Sequence, residues 1–203
     1  MLKIGITGTI ASGKTSVSIL LRRRGFSVFN SDNYAKMALH QGNDCYEKLI
    51  EVLGKDVLDA SNDIDRTKMA EIIFSDEEKR KKVNSIVHPY VVEGMRTFFS
   101  HHDEDVIVFA EVPLLFEAHL ENEFDEIVVV TCNKDIAIQR MIEDRDYSIN
   151  EANARYDSQI NKDEQIKQAD YVIENDGDLK QLDHTINAFV KELRRKVRNG
   201  KKA

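Results

Sequence analysis

Apolar residues fall along this chain in short unbroken runs separated by longer stretches with helical spacing. Residues 2–7, 26–29, 106–110 and 127–131 are the strand candidates, with a weaker one at 171–173. Val106-Ile107-Val108-Phe109-Ala110 and Ile127-Val128-Val129-Val130 are apolar without alternation. That pattern predicts burial on both faces, as central parallel strands require. Between strands one and two, Val17, Leu20, Leu21 and Arg24 stand at i, i+3, i+4 and i+7, so three apolar residues share one helix face until Gly25 stops it. Residues 33–102 read as a helical insertion longer than one crossover needs. Within it Asp65 predicts a cap for a helix carrying Met69, Ile72 and Ile73, and Ser75 with Glu78 gives a capping-box pattern for a helix carrying Val83, Ile86 and Val87. Pro89 then suits the first position of a third helix bearing Val91, Met95, Phe98 and Phe99. A final helix over about 178–198 presents Leu179, Leu182, Ile186, Phe189, Leu193 and Val197 to the core after a turn at Asn175-Asp176-Gly177. Short strands alternating with helices predict an α/β architecture, a mainly parallel five-stranded sheet between helix layers.

The loop after the first strand, Gly8-Thr9-Ile10-Ala11-Ser12-Gly13-Lys14-Thr15, fits G-x-x-x-x-G-K-[ST]. Backbone N–H groups of such a loop cradle nucleotide phosphates, and the helix that follows adds its positive end. Lys14 is placed to reach the β- and γ-phosphates and the Thr15 hydroxyl to ligate Mg²⁺. The pattern names a nucleotide and leaves the reaction open. Thr9 and Ala11 each bring a Cβ to positions that must accept a conformation a non-glycine residue tolerates.

Three further positions carry candidate chemistry. Asp32 follows the second strand, where a carboxylate could accept a proton from an incoming hydroxyl; the alternative is an N-cap for a helix starting near Asn33. Glu111 ends the third strand, where it could hold water on Mg²⁺ or serve as a loop acid bonded to backbone N–H groups. Arg140 and Arg145 fit exposed salt-bridging positions, yet they precede a polar stretch, 146–168, that could close as a lid and bring cationic side chains to a transferring phosphoryl group. Asn133-Lys134-Asp135 lacks the intervening residue of a guanine-reading N-K-x-D motif and is discounted.

Composition narrows the class. A chain of 203 residues, 41% hydrophobic and 32% charged, suits one domain with a well-solvated surface. The net charge of −7 argues against nucleic acid as a partner. Residues 191–202 dissent, with seven Lys and Arg against one acid, Glu192; they read as a solvated helix end complementing its dipole or as a partner-binding tail. Cys45 and Cys132 have neither metal spacing nor a disulfide framework, and no apolar run reaches the ~18 residues of a membrane span. A soluble, cytoplasmic protein is expected.

Separated motifs also resemble one family. Ile4-Gly5-Ile6-Thr7-Gly8 through Lys14-Thr15, Asn30-Ser31-Asp32, Val87-His88-Pro89, Val112-Pro113-Leu114-Leu115-Phe116-Glu117, Gln139-Arg140 through Arg145, Gln159, Ala169-Asp170-Tyr171-Val172-Ile173 and Asn175 are, in this order, similar to dephospho-coenzyme A kinases. The resemblance implies a three-layer P-loop kinase fold and ATP-dependent phosphorylation of the 3′-hydroxyl of dephospho-coenzyme A, with ATP and Mg²⁺. It implies a single domain over 1–203: a nucleotide core (about 1–32, 103–145 and 169–203), a helical acceptor-side subdomain (about 33–102) and a lid (about 146–168). Asp32, Lys14 and Arg140 take the catalytic positions. Gly8, Thr9, Ile10, Ala11, Ser12, Gly13, Lys14, Thr15, Arg140 and Arg145 take the ATP-binding ones. Asp32, His88 and Leu115 fall on the substrate side, and Thr15 with Glu111, through water, on the metal. His88 also reads as a helix-start residue bonded to its own backbone, and Leu114, Leu115 and Phe116 as packing residues. Asn30 stands where the family typically has a first acid, which leaves the carboxylate chemistry to Asp32. The partner is a small molecule, with no nucleic acid or membrane, and the protein a monomer or weak homo-oligomer. Another small-metabolite or nucleoside monophosphate kinase, or a nucleotide switch without an acceptor, are the competing readings.

Overall fold

The computed structural model describes residues 1–159 and 161–200. Lys201 and Lys202 of the basic end lie outside the described residues, as does Ile160 of the 146–168 stretch. The elements run β1 (Leu2–Gly8), α1 (Lys14–Arg23), β2 (Ser27–Asn30), α2 (Ser31–Met37), α3 (Asp44–Leu53), α4 (Arg66–Ser75) and α5 (Glu77–His101). They continue with β3 (Ile107–Glu111), β4 (Glu126–Thr131), α6 (Lys134–Arg145), α7 (Ile149–Asp157), α8 (Lys162–Lys167), β5 (Tyr171–Glu174) and α9 (Leu179–Gly200). Contacts divide the chain into two compact units, Met1–Phe29 with His102–Ala203, and Asn30–His101.

The first unit is built on a five-stranded sheet in the order β2-β3-β1-β4-β5. The β1–β3, β1–β4 and β4–β5 pairings are parallel. Alternate residues Ile4 and Ile6, Ile107 and Phe109, and Val128 and Val130 point to one face, because side chains along a strand alternate. Val17, Leu20 and Leu21 of α1 and Leu182, Ile186, Phe189 and Leu193 of α9 cover that face. On the other face a Cβ at Gly5 would overlap Leu115 and Phe124, so the 112–125 loop packs directly on β1. The unbroken apolar runs of β3 and β4 are thus buried on both sides, as their sequence predicts.

The connections place the functional edge. β1 leads through α1 to β2, on the far side of β3, whereas β3 leads to β4, on the far side of β1. The strand order therefore reverses between β1 and β3, and in open parallel sheets ligands bind at the carboxyl ends of the strands beside that reversal. In this register Ile6 stands opposite Glu111, which puts the end of β3 one turn of chain from the Gly8 loop.

The second unit has its own core, formed by Leu39, Tyr46, Leu49, Leu53, Val57, Ile64 and Val83 with half-buried Ile72, Ile86 and Val87. Asp65 caps α4 as its position predicts, accepting from the N–H groups of Thr67 and Lys68. Two expectations fail here. Residues 77–101 form one helix with Pro89 inside it, where the sequence predicts two helices meeting at Pro89. An interior proline gives up a main-chain hydrogen bond and costs about 3 kcal/mol. The burial of Val83 before it and of Met95 and Phe99 after it, with α3 and α4 packed alongside, outweighs that cost. The Ser75–Glu78 capping box is also absent: Ser75 closes α4, its hydroxyl donating to the Glu71 carbonyl, and Asp76 caps α5 by accepting from Lys79 N–H. α2 meets α5 at Gly94, where a Cβ would overlap the Tyr34 ring, and Tyr34 stacks at a tilt on Tyr90, 5.0 Å between ring centres.

Candidate active site

The Gly8–Thr15 loop owes its shape to close approaches from distant parts of the first unit. Gly8 has φ 140°, and a Cβ there would fall on the Val130 carbonyl. Gly13 has φ 94°, and a Cβ there would strike the Asn175 carboxamide. Gly13 is also the N-cap of α1, and having no side chain it leaves the first-turn N–H groups without a side-chain cap. Those are the orphan donors that bind anions at a helix start. Ala11 lies in the left-handed region at φ 56°, while Thr9 does not. For an L-residue that conformation costs roughly 1–2 kcal/mol. The Ala11 methyl recovers part of it by packing with Ile10 beside Ile138, Met141 and Ala152.

Thr15 and Glu111, assigned from sequence to a metal site 96 residues apart, meet directly. The Thr15 hydroxyl donates to Glu111 Oε1 at 2.8 Å, and Glu111 is 2% exposed. Lys14 Nζ donates to the carbonyls of Gly8 and Thr9 at 2.9 and 2.8 Å, so the ammonium spans the loop mouth. Arg140 of α6 donates to the Ala11 and Asn175 carbonyls at 3.3 and 3.0 Å. Lys14, Thr15, Ser16, Arg140 and Arg145 line one cleft of about 330 Å³ together with one acid, Asp144, and Ala11, Gly13, Asn175, Gly177, Leu179 and Leu182 complete its wall. Five cationic or hydroxyl side chains and a helix start, against the single carboxylate of Asp144, make this cleft an anion site. Hard oxygen donors at Thr15 and Glu111 fit a magnesium ion that keeps several water or phosphate ligands.

Asp32 and His88 belong to the helical unit. Asp32 is exposed in the first turn of α2 and is not its N-cap: Asn30 caps the helix, its Oδ1 accepting from Asn33 N–H at 2.8 Å. Asparagine caps as well as aspartate, so residue 30 keeps this structural task without a charge. His88 is exposed in the middle of α5, not at a helix start. Leu115, placed on the substrate side, is fully buried against Gly5 and Phe124, which corrects that assignment in favour of packing. Lys134 and Asn133 have structural tasks of their own: Asn133 donates twice to Asp176, and Lys134 pairs with Asp157 at 2.7 Å.

Two more residues shape the loop from far along the chain. Asn175 is buried, donates from Nδ2 to the Ser12 carbonyl at 2.8 Å and accepts Arg140 on its own carbonyl. Gln159 Oε1 accepts the Ile10 N–H. Neither contact has a local signature, since 163 and 149 residues separate the partners. Behind the loop, Cys132 is a buried free thiol; burial pushes its pKa up, against the lowering effect of Arg140.

The helix α7 that follows carries a complete capping box. Ser148 Oγ accepts from Glu151 N–H, and the Glu151 carboxylate accepts from Ser148 N–H and Oγ. The Ser148 side-chain hydrogen bond, then its backbone bond, hold Glu151 below its ordinary value of 4.5. A depressed carboxylate contributes stability above its unfolded value and loses it as pH falls through the folded one. Hydrogen exchange of the α7 amides, corrected for intrinsic rates, is expected to accelerate as pH drops below 4.5, and Ser148→Ala to remove most of that dependence. An α7 equally protected on both sides of that range would refute the coupling.

A parallel sheet ordered β2-β3-β1-β4-β5, with a G-x-x-x-x-G-K-T loop leading from the central strand into α1, defines a P-loop kinase. Comparison with known proteins agrees. Residues 2–181 match the family model described as Dephospho-CoA kinase. The curated Dephospho-CoA kinase of Listeria innocua is 36% identical over 194 residues, covering 94% of this chain and 96% of the relative. Among solved structures, TT1252 from Thermus thermophilus superposes with a TM-score of 0.81 at 32% identity, covering 95% of this chain and 97% of that one. A Dephospho-CoA kinase from Campylobacter jejuni gives 0.73 at 26%, covering 94% and 96%. A shikimate kinase from Bacteroides thetaiotaomicron, at 14% identity and TM-score 0.53, shares the fold alone. This chain belongs to the dephospho-CoA kinase family.

Proposed function

We propose that the protein transfers the γ-phosphoryl group of ATP to the 3′-hydroxyl of dephospho-coenzyme A, giving coenzyme A and ADP. The observation that carries this reading is the family match over residues 2–181 together with a phosphate loop whose Lys14, Thr15 and Arg140 share one cleft. ATP binds with its phosphates on Gly8–Thr15. Lys14 and Arg140 offset charge on the transferring group, and Arg145 adds a second arginine at the end of α6. Asp32 orients the ribose hydroxyl and takes its proton, and His88 lies on the acceptor side. Residues at about 146–168 act as a lid and those at about 33–102 as the acceptor-side subdomain. Thr15 and, through water, Glu111 would hold Mg²⁺, which would supply charge neutralisation to the transferring phosphoryl group. A small-molecule kinase acting as a monomer or weak oligomer in the reducing cytoplasm fits two free, buried cysteines. Among the described residues no helix is long and apolar enough to cross a membrane.

The direct test is ADP release with ATP and Mg²⁺ and a panel of acceptors: dephospho-coenzyme A, AMP, CMP and shikimate. Stimulation by dephospho-coenzyme A alone, with one phosphate added on its ribose by mass, is expected. Stimulation by a different acceptor would overturn the substrate, and acceptor-independent hydrolysis would overturn the kinase reading. Glu111→Gln tests the metal site. The amide still accepts from Thr15 but carries no charge, so the Mg²⁺ concentration for half-maximal rate is expected to rise about 10- to 100-fold. An unchanged magnesium titration would take Glu111 out of the metal site.

A further inference from the structure

We propose that Gln159 is a positioning residue for the phosphate loop, setting the Ile10 amide and thereby the N–H groups that receive ATP. The inference rests on the nucleotide reading of the loop. Ile10 N–H donates to Gln159 Oε1 at 2.6 Å, short for a bond of this type. A main-chain N–H can only donate, so the contact identifies the oxygen end of the carboxamide. Asn175, Arg140 and Lys14 all take loop carbonyls. Gln159 takes a loop N–H, the kind of group through which such loops bind phosphate.

Gln159 is not held by this bond alone. Two residues upstream, Asp157 pairs with Lys134 at 2.7 Å, and Lys134 also lies 5.3 Å from the centre of the Tyr156 ring. Three residues downstream, Lys162 donates to the Cys132 carbonyl at 3.4 Å. Ala152 of α7 packs in the cluster that Ile10 and Ala11 join. The chain on either side of Gln159 is therefore anchored, and Ala152 and Gln159 touch the loop through an apolar contact and a polar one. A neutral amide suits the place. It accepts from Ile10 without setting a negative charge beside incoming phosphates, which a carboxylate there would do.

The test uses the full chain with Gln159→Ala and Gln159→Glu. Calorimetry gives the affinity for ATP with Mg²⁺, and steady-state kinetics with dephospho-coenzyme A gives kcat and KM. With Gln159→Ala, ATP affinity and kcat are each expected to fall about tenfold while Tm moves by no more than about 4 °C. Gln159→Glu keeps an acceptor for Ile10 but adds a negative charge, so its KM for ATP relative to the wild type is expected to rise at least about tenfold near pH 8 and to fall back only as pH drops below 5 toward the ordinary glutamate value of about 4.3. A residue that merely stabilised the fold would give no pH-dependent KM. Unchanged ATP affinity and kcat in Gln159→Ala would overturn the proposal. So would tighter ATP binding, which would mean that Gln159 competes with phosphate for the Ile10 N–H. Should the wild-type protein phosphorylate no dephospho-coenzyme A, the proposed substrate falls, and the ATP-affinity comparison still decides the role of Gln159.

Discussion

Asp32→Asn is expected to lower kcat by a factor of about 10²–10⁴ while leaving the KM for ATP within about threefold. Phosphoryl transfer passes through a loose transition state, so in the proposed role the acid's main service would be to hold the attacking hydroxyl in line and to accept its proton late. The carboxamide is isosteric with the carboxylate and cannot take that proton. The substitution is clean because the helix it sits on is capped by a different residue, Asn30, through its bond to Asn33 N–H. α2 is further tied to α5 where Tyr34 closes over Gly94. The N-cap bond is kept and the change removes a first-turn charge, so Tm should move by no more than a few degrees. Steady-state kinetics with ATP and dephospho-coenzyme A decides the matter: turnover near that of the wild type would remove Asp32 from the mechanism.

Lys14→Ala should fail differently, damaging binding and turnover together. A fall in kcat/KM for ATP of about 10³ or more is expected, because a preorganised charge at the transferring phosphoryl group is withdrawn from a cleft with few substitutes. The structure shows how the ammonium is preorganised, between the carbonyls of Gly8 and Thr9. Arginine should restore less than a tenth of the loss, since a planar fork cannot replace a compact cation between two carbonyls on adjacent residues. ATP titration of both variants separates this from the Asp32 result, in which nucleotide binding survives. A Lys14→Ala protein with kcat and KM within threefold of the wild type would sink the assignment.

The parts of the site that were legible in sequence are those with local causes. Unbroken apolar runs marked β3 and β4, and the loop pattern at Gly8–Thr15 follows from backbone requirements that only certain residue types meet. Placing Glu111 at a strand end in a parallel sheet was enough to bring it to the edge that holds Thr15. What sequence could not supply depends on tertiary contacts. Nothing near Pro89 announces that α3 and α4 will hold a helix together around it. Ser75 and Asp76 are both good caps, and only the point at which α4 ends decides between them. The left-handed Ala11 is set by its packing beside α6 and α7, and the contacts of Gln159 and Asn175 with the loop span most of the chain.

That last separation bears on how the protein is made. The loop is synthesised first, yet Ser12 is held by Asn175 and Ile10 by Gln159. A nascent chain that has not yet extruded β5 has the whole nucleotide motif and lacks Asn175, the side chain that holds Ser12. Because domains are completed from their N-terminal end as they emerge, at about 5–20 residues per second, the pocket stays unfinished for roughly 10–30 seconds after its motif leaves the ribosome. ATP can reward folding only once the final third of the molecule is in place, so truncated products gain no protection from it.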